Sequence, residues 1–198
     1  MFATPRGLQQ IVAGMLMAFA VSQSSVAADV KGIKFDDTVK VAGKDLVLNG
    51  AGMRTKVIFK VYAAGLYMTE KKSTVADILK QEGPRRVTIV MTRDVTSTEF
   101  GDAFMKGIND NIGDAEKARY ASQISKFGEL FGTFAGLKKG DMLHLDLIPG
   151  AGTVCELNGK KLNEPIPDPG FYNAVLRIWL GDKPVDASLK TALLGAAH

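Results

Sequence analysis

Few side chains in this sequence can do chemistry, and their types narrow what that chemistry is. There is one cysteine, Cys155, and there are two histidines, His144 and His198. A catalytic thiol needs a basic partner, and only those two histidines are candidates. Cys155 lies in the run Thr153-Val154-Cys155-Glu156-Leu157, which reads as a strand with the thiol as a small core residue. His144 falls on the polar face of another strand-like run and reads as exposed or half-buried. One Cys and two His cannot supply a standard zinc site, so no metal is expected. Gly50-Ala51-Gly52 lacks the further glycine and following helix of a phosphate cradle. It reads as a turn, and no cofactor is expected.

The residue that stands out is Arg54, with Tyr62 eight positions later. Arg54 opens the most apolar strand-like run in the chain, residues 53–68. A guanidinium held against apolar strands needs an anionic partner, and its planar fork suits a carboxylate better than an ammonium would. A buried tyrosine hydroxyl also needs a partner. On one straight strand the two residues would stand about 26 Å apart at most. A shared anion site therefore requires the chain to fold back between them. Residues 56–59 offer no turn chemistry, so the bend is expected at residues 50–55.

The surrounding elements follow from periodicity. Residues 36–41 and 44–48 alternate around Ala42-Gly43, a hairpin signal. Ala63-Ala64-Gly65 within the long run implies a bend or a close approach by another element. Ser73 or Thr74 caps a short helix. Residues 86–91 form a strand with Val87, Ile89 and Met91 on one side. Thr96 and Glu99 make a capping box ahead of the helical stripe Phe100, Phe104, Ile108, Ile112. Asp114 is expected to cap a further helix carrying Tyr120, Ile124, Phe127 and Phe131. Leu143, Leu145 and Leu147 alternate along a strand, and Asn158-Gly159 marks a type I′ hairpin. Pro169 opens a helix with Phe171, Val175, Ile178 and Trp179, and residues 187–194 form a last one. Strands and helices in separate clusters predict an α+β domain, with helices on one face of a mainly antiparallel sheet.

The N-terminus reads as a secretory signal. Arg6 is followed by an apolar stretch over residues 7–21 and then by the small-residue end Ser24-Ser25-Val26-Ala27-Ala28. The apolar core is too short to span a bilayer comfortably. Cleavage after Ala27 or Ala28 fits the small-residue pattern, and Ala28 is favoured, so residues 1–28 are expected to be a signal peptide and 29–198 the mature domain. The implied location is the periplasm, with no integral membrane segment after cleavage. The formal net charge is +4, and the signal carries one of the basic residues and no acid. Basic doublets are dispersed, without interleaved aromatics, which argues against a nucleic-acid partner.

Two segments carry a family resemblance. Gly50-Ala51-Gly52-Met53-Arg54, followed by Ala63-Ala64-Gly65-Leu66-Tyr67, resembles the first block of the chalcone isomerase family. There a Gly-x-Arg turn precedes a strand ending in Ala-x-Gly-x-Tyr. Asn173 to Gly181 resembles the family's late "AVL…IG" helix. The resemblance implies an open-faced antiparallel β-sandwich with helices packed on the large sheet. In the plant enzyme the arginine holds an oxyanion, which makes Arg54 the catalytic residue if this chain is an enzyme. Its polar helpers are missing, since Tyr62, Phe100 and Ile178 occupy positions where hydroxyls of other kinds are expected. An arginine with a tyrosine is instead similar to the plant fatty-acid-binding branch, where the pair holds a carboxylate. The resemblance then implies a ligand site of Arg54, Tyr62, Phe100, Phe104 and Ile178, with Ile108, Phe127 and Phe131 along an acyl tunnel. The leading expectation is a non-catalytic binder of a fatty acid or similar apolar anion. An isomerase or intramolecular lyase on a small substrate, and an accessory protein acting through protein contacts, are the alternatives.

Overall fold

The structure is a computed structural model, and it describes residues 26–196. The apolar stretch of the expected signal lies outside the described residues. The strand β1 (Val26–Val30) begins just before the expected cleavage point.

The centre is a seven-stranded antiparallel sheet built mostly of neighbours in sequence. β3 (Thr38–Val41), β4 (Lys44–Lys56) and β5 (Phe59–Met68) form one meander at the edge, and β5 pairs with β6 (Arg85–Met91). In the chain α1 (Val75–Lys80) stands between β5 and β6, and β7 (Val95–Thr96) pairs with β8 (Gly136–Leu137) outside this sheet. Beyond β6 in the sheet come β9 (Met142–Ile148), β10 (Gly152–Leu157) and the short β11 (Lys160–Lys161). The turn between β10 and β11 has Asn158 and Gly159 at φ 51° and 81°, as a type I′ turn requires.

One face of the sheet carries the helices. Leu66, Met68, Ile89, Leu143 and Leu145 meet Phe104, Ile108, Val175 and Trp179 in the main core. α2 (Ser97–Asn111) starts at the Thr96–Glu99 capping box, and α5 (Pro169–Leu180) starts at the Asp168 cap. Among the described residues the opposite face is covered by β1 and β2 (Ile33–Asp36), which seal Leu46, Leu48, Ala63 and Tyr67. Gly65 is small because Phe35 of β2 lies on it: a Cβ there would come within 2.7 Å of the Phe35 ring. The close approach expected at residues 63–65 is that of Phe35. The expected α+β open-faced sandwich is the fold observed.

Three local expectations are corrected. Residues 49–52 are not a turn but the middle of the 13-residue strand β4. Their smallness serves α6 (Ala187–Leu193), which packs directly on the strand backbone. A Cβ on Gly50 would collide with the Ala192 carbonyl oxygen, and one on Gly52 would lie 2.6 Å from the Ala192 Cβ. Residues 53–68 are likewise not one strand. The chain reverses at Val57-Ile58, with Lys56 paired to Phe59. Asp114 does not cap its helix either. It is the first residue of α3 (Asp114–Arg119), the N-cap is Gly113 with no side-chain bond, and Phe127 follows in α4 (Ala121–Glu129) and Phe131 in the 3-10 turn Leu130–Gly132.

Candidate functional site

The reversal at Val57-Ile58 brings Arg54 and Tyr62 directly opposite each other on β4 and β5. Register slips by one residue between the Arg54–Tyr62 and Thr55–Lys60 pairs, which leaves Val61 as a β-bulge. A bulge re-aims side chains, and here both Val61 and Tyr62 join the helix-side core. The fold-back that an anion site demands thus exists, but at residues 57–58 and not at residues 50–55.

Tyr62 is fully buried. Its hydroxyl oxygen accepts a hydrogen bond from Trp179 Nε1 of α5 at 2.8 Å, so its own proton remains for another acceptor. Burial pushes the Tyr62 phenol up, and the nearby Arg54 charge opposes that rise. The Arg54 guanidinium carbon stands 5.3 Å from the centre of the Tyr62 ring, a cation–π arrangement. Arg54 is half-buried, its Nε is buried without a hydrogen-bond partner, and among the described residues no carboxylate forms an ion pair with it.

The neighbouring carboxylate, Asp186, is already engaged. It accepts from the Thr55 backbone N–H at 2.9 Å and from Ser188 and Leu189 N–H at the start of α6. Burial would raise its carboxyl, and these hydrogen bonds outweigh that and hold it below the usual range. Asp186 therefore pins the strand beside Arg54 to α6 and, among the described residues, forms no ion pair with the guanidinium.

Arg54 forms part of the wall of an open cleft of about 600 Å³, with Val61, Phe100 and Val185 as apolar neighbours. Lys56, Arg93, Lys106 and Lys183 add positive charge, against Glu99, Asp102 and Asp110. Phe100 closes the cleft toward the interior. Its ring lies 4.5 Å from that of Phe104 and 5.9 Å from that of Phe131. Beyond it, Phe104, Phe127, Phe131, Leu143, Leu145 and Cys155 leave a void of only about 10 Å³. Ile178 is fully buried against Gly107. The structure thus brings Arg54, Tyr62 and Phe100 together. Phe104 and Ile178 sit behind them in packed core, with Ile108, Phe127 and Phe131.

Three features of the site are not apparent in the sequence: the Trp179 donor, the Asp186 pin and the cluster of cleft lysines. A buried indole N–H must find an acceptor, so Trp179 carried a signal, though not one that names Tyr62.

Comparison with known proteins bears on this arrangement. The sequence pattern of the chalcone isomerase-like family matches residues 27–195. The chain belongs to the chalcone isomerase-like family. Among solved structures, this family member is similar to a fatty-acid binding protein of Arabidopsis thaliana, with a TM-score of 0.70 and 16% identity. The likeness covers 87% of this chain and 96% of the plant protein, and it is a likeness of fold. Curated protein sequences give no match.

Proposed function

We propose that this chalcone isomerase-like protein is a non-catalytic binder of a fatty acid or a similar apolar anion, exported to the periplasm. The observation that carries the reading is the Arg54 guanidinium, half-buried on the Tyr62 ring with no carboxylate paired to it among the described residues, at the wall of the 600 Å³ cleft. A ligand carboxylate supplies the missing counter-charge and accepts a hydrogen bond from the Tyr62 hydroxyl, while Val61, Phe100 and Val185 meet the first part of its chain. The Arabidopsis protein of similar fold is a fatty-acid binder by name, which supports the same ligand class here. Binding is favoured over ring closure because Phe100 and Ile178 give a developing oxyanion no donor.

Calorimetric titration of the mature protein with a medium-chain fatty acid tests this. Saturable binding that Arg54→Ala weakens by about 2–3 kcal/mol is expected. Equal affinity in a well-folded Arg54→Ala would overturn it. Intact mass of exported protein tests the location, with a first residue of Asp29 expected and retention of residues 1–28 the contrary result.

A further inference from the structure

The β4–β5 hairpin ends in Val57-Ile58-Phe59, which are 89, 79 and 60% exposed. They are three of the four large hydrophobic residues most exposed among those described. The loop has two residues, and Val57, the first, takes φ 59° while Ile58 does not enter the positive region. That pattern favours glycine at the first position, and a β-branched residue there is strained. Water would select polar residues and the turn would select glycine. The chain carries valine, isoleucine and phenylalanine instead, against both preferences at one spot.

Positive charge surrounds the tip. Lys56 and Lys60 flank it directly, are exposed, and form no ion pair among the described residues. Arg54, Arg93, Lys106 and Lys183 follow along the adjoining cleft, against Glu99, Asp102 and Asp110. Asp110 is itself tied to Lys106 at 2.5 Å.

We propose that this tip is a membrane-docking finger, which inserts Val57, Ile58 and Phe59 into the interface of an anionic bilayer while Lys56 and Lys60 meet the lipid phosphates. The tip is convex, and three side chains are far fewer than the roughly 20–30 residues a side of a stable protein interface. Shallow apolar insertion combined with basic flanks is how interfacial binding works on anionic lipid. Arg54 lies three residues from Val57, about 10 Å along the strand. A docked finger therefore holds the cleft mouth at the bilayer surface, where an apolar anion passes in without crossing open water. This goes beyond what the cleft holds, and the test uses no ligand.

The test is flotation of the mature protein with phosphatidylcholine vesicles, with and without phosphatidylglycerol. Wild type is expected to float with the phosphatidylglycerol vesicles and to be released in part by salt. The Val57→Asn/Ile58→Gly/Phe59→Ser variant and the Lys56→Glu/Lys60→Glu variant should each bind at least about tenfold more weakly. The loop variant should melt no lower than wild type, because it removes a strained residue, so loss of binding cannot be put down to unfolding. Three results would overturn the proposal. One is wild type that ignores phosphatidylglycerol, and another is a loop variant that floats like wild type. The third is a sedimentation dimer that dissolves in the loop variant, which would give the tip to a second copy of the chain.

Discussion

The Arg54 guanidinium carbon lies 5.3 Å from the centre of the Tyr62 ring, and the two residues are direct cross-strand partners although eight positions separate them. The hairpin turn at Val57-Ile58 creates this pair, and the bulge at Val61 aims it. A cation is thereby held on an aromatic face with the tyrosine proton beside it, and Asp186, which accepts from Thr55 N–H on the same strand, caps α6.

Arg54→Ala should weaken fatty-acid binding by about 2–3 kcal/mol, the scale of hydrogen bonds to a charged group at a half-buried site. Arg54→Lys should recover part of this, because a point charge reproduces the attraction but not the fork. Calorimetry on variants with unchanged circular dichroism measures both. A Lys variant as tight as wild type would mean that geometry plays no part.

Tyr62→Phe should act on the fold as well as on the ligand. It removes the acceptor of the Trp179 indole N–H, a buried pair 2.8 Å apart. An unpaired buried donor costs about 1–3 kcal/mol. Urea unfolding followed by far-ultraviolet circular dichroism should show that loss. The Trp179→Phe/Tyr62→Phe double variant should lose less than the sum, since no polar group is then stranded.

Local signals carried most of the fold. The α2 capping box, the α5 stripe and the Asn158-Gly159 turn each depend on residues within a few positions, and each stands where the sequence places it. The failures have a common cause in long-range contact. Gly50 and Gly52 have the composition of a turn, but α6, some 140 residues later, is what requires them to be small. Val57-Ile58 has the composition of a strand, and no local rule makes it a turn. Arg54 was legible because a cation heading an apolar run is conspicuous. Its position relative to Tyr62 was not, because that depends on the misread turn. Asp186 was illegible for the same reason: it acts through Thr55, 131 residues away.

Gly50→Ala should loosen α6. The new methyl would overlap the Ala192 carbonyl oxygen, a backbone atom that cannot move without its helix. Overpacking of this kind costs about 1–3 kcal/mol. Gly52→Ala meets the Ala192 and Leu189 side chains and should cost less. Hydrogen exchange should report the difference as faster exchange confined to α6 and the middle of β4.

His144 should make the protein less stable in mild acid. Burial first, and the Arg86 charge second, hold the imidazole below its usual 6.5. Its Nδ1 lies 3.0 Å from the Thr88 hydroxyl. A folded-state pKa below the unfolded one means that the stability is present above about pH 6.5 and is lost as pH falls through the folded midpoint. Urea midpoints should therefore fall between about pH 7 and pH 5, and His144→Gln should flatten that slope. An imidazole titration by NMR with a midpoint above 6.5 would reverse the sign and refute the argument.

Phe100 should set the chain length that the cleft accepts. Its ring separates the 600 Å³ cleft at Arg54 from the void of about 10 Å³ behind Phe104 and Phe131. That void holds no more than about one water, so a long acyl chain must either stay in the open cleft or displace aromatic rings. Displacing packed rings forfeits their contacts, so affinity should rise with chain length only while the chain fits the cleft and then level off. Phe100→Leu shortens the partition at a modest cost of about 1 kcal/mol in stability. It should weaken a short fatty acid only slightly, since Arg54 and Tyr62 are untouched and one apolar contact is trimmed, and should move the plateau to longer chains. Titration of wild type and Phe100→Leu with a homologous series of fatty acids reads this directly. Identical plateaus in the two proteins would mean that the chain never turns inward at Phe100 and lies along the cleft surface instead.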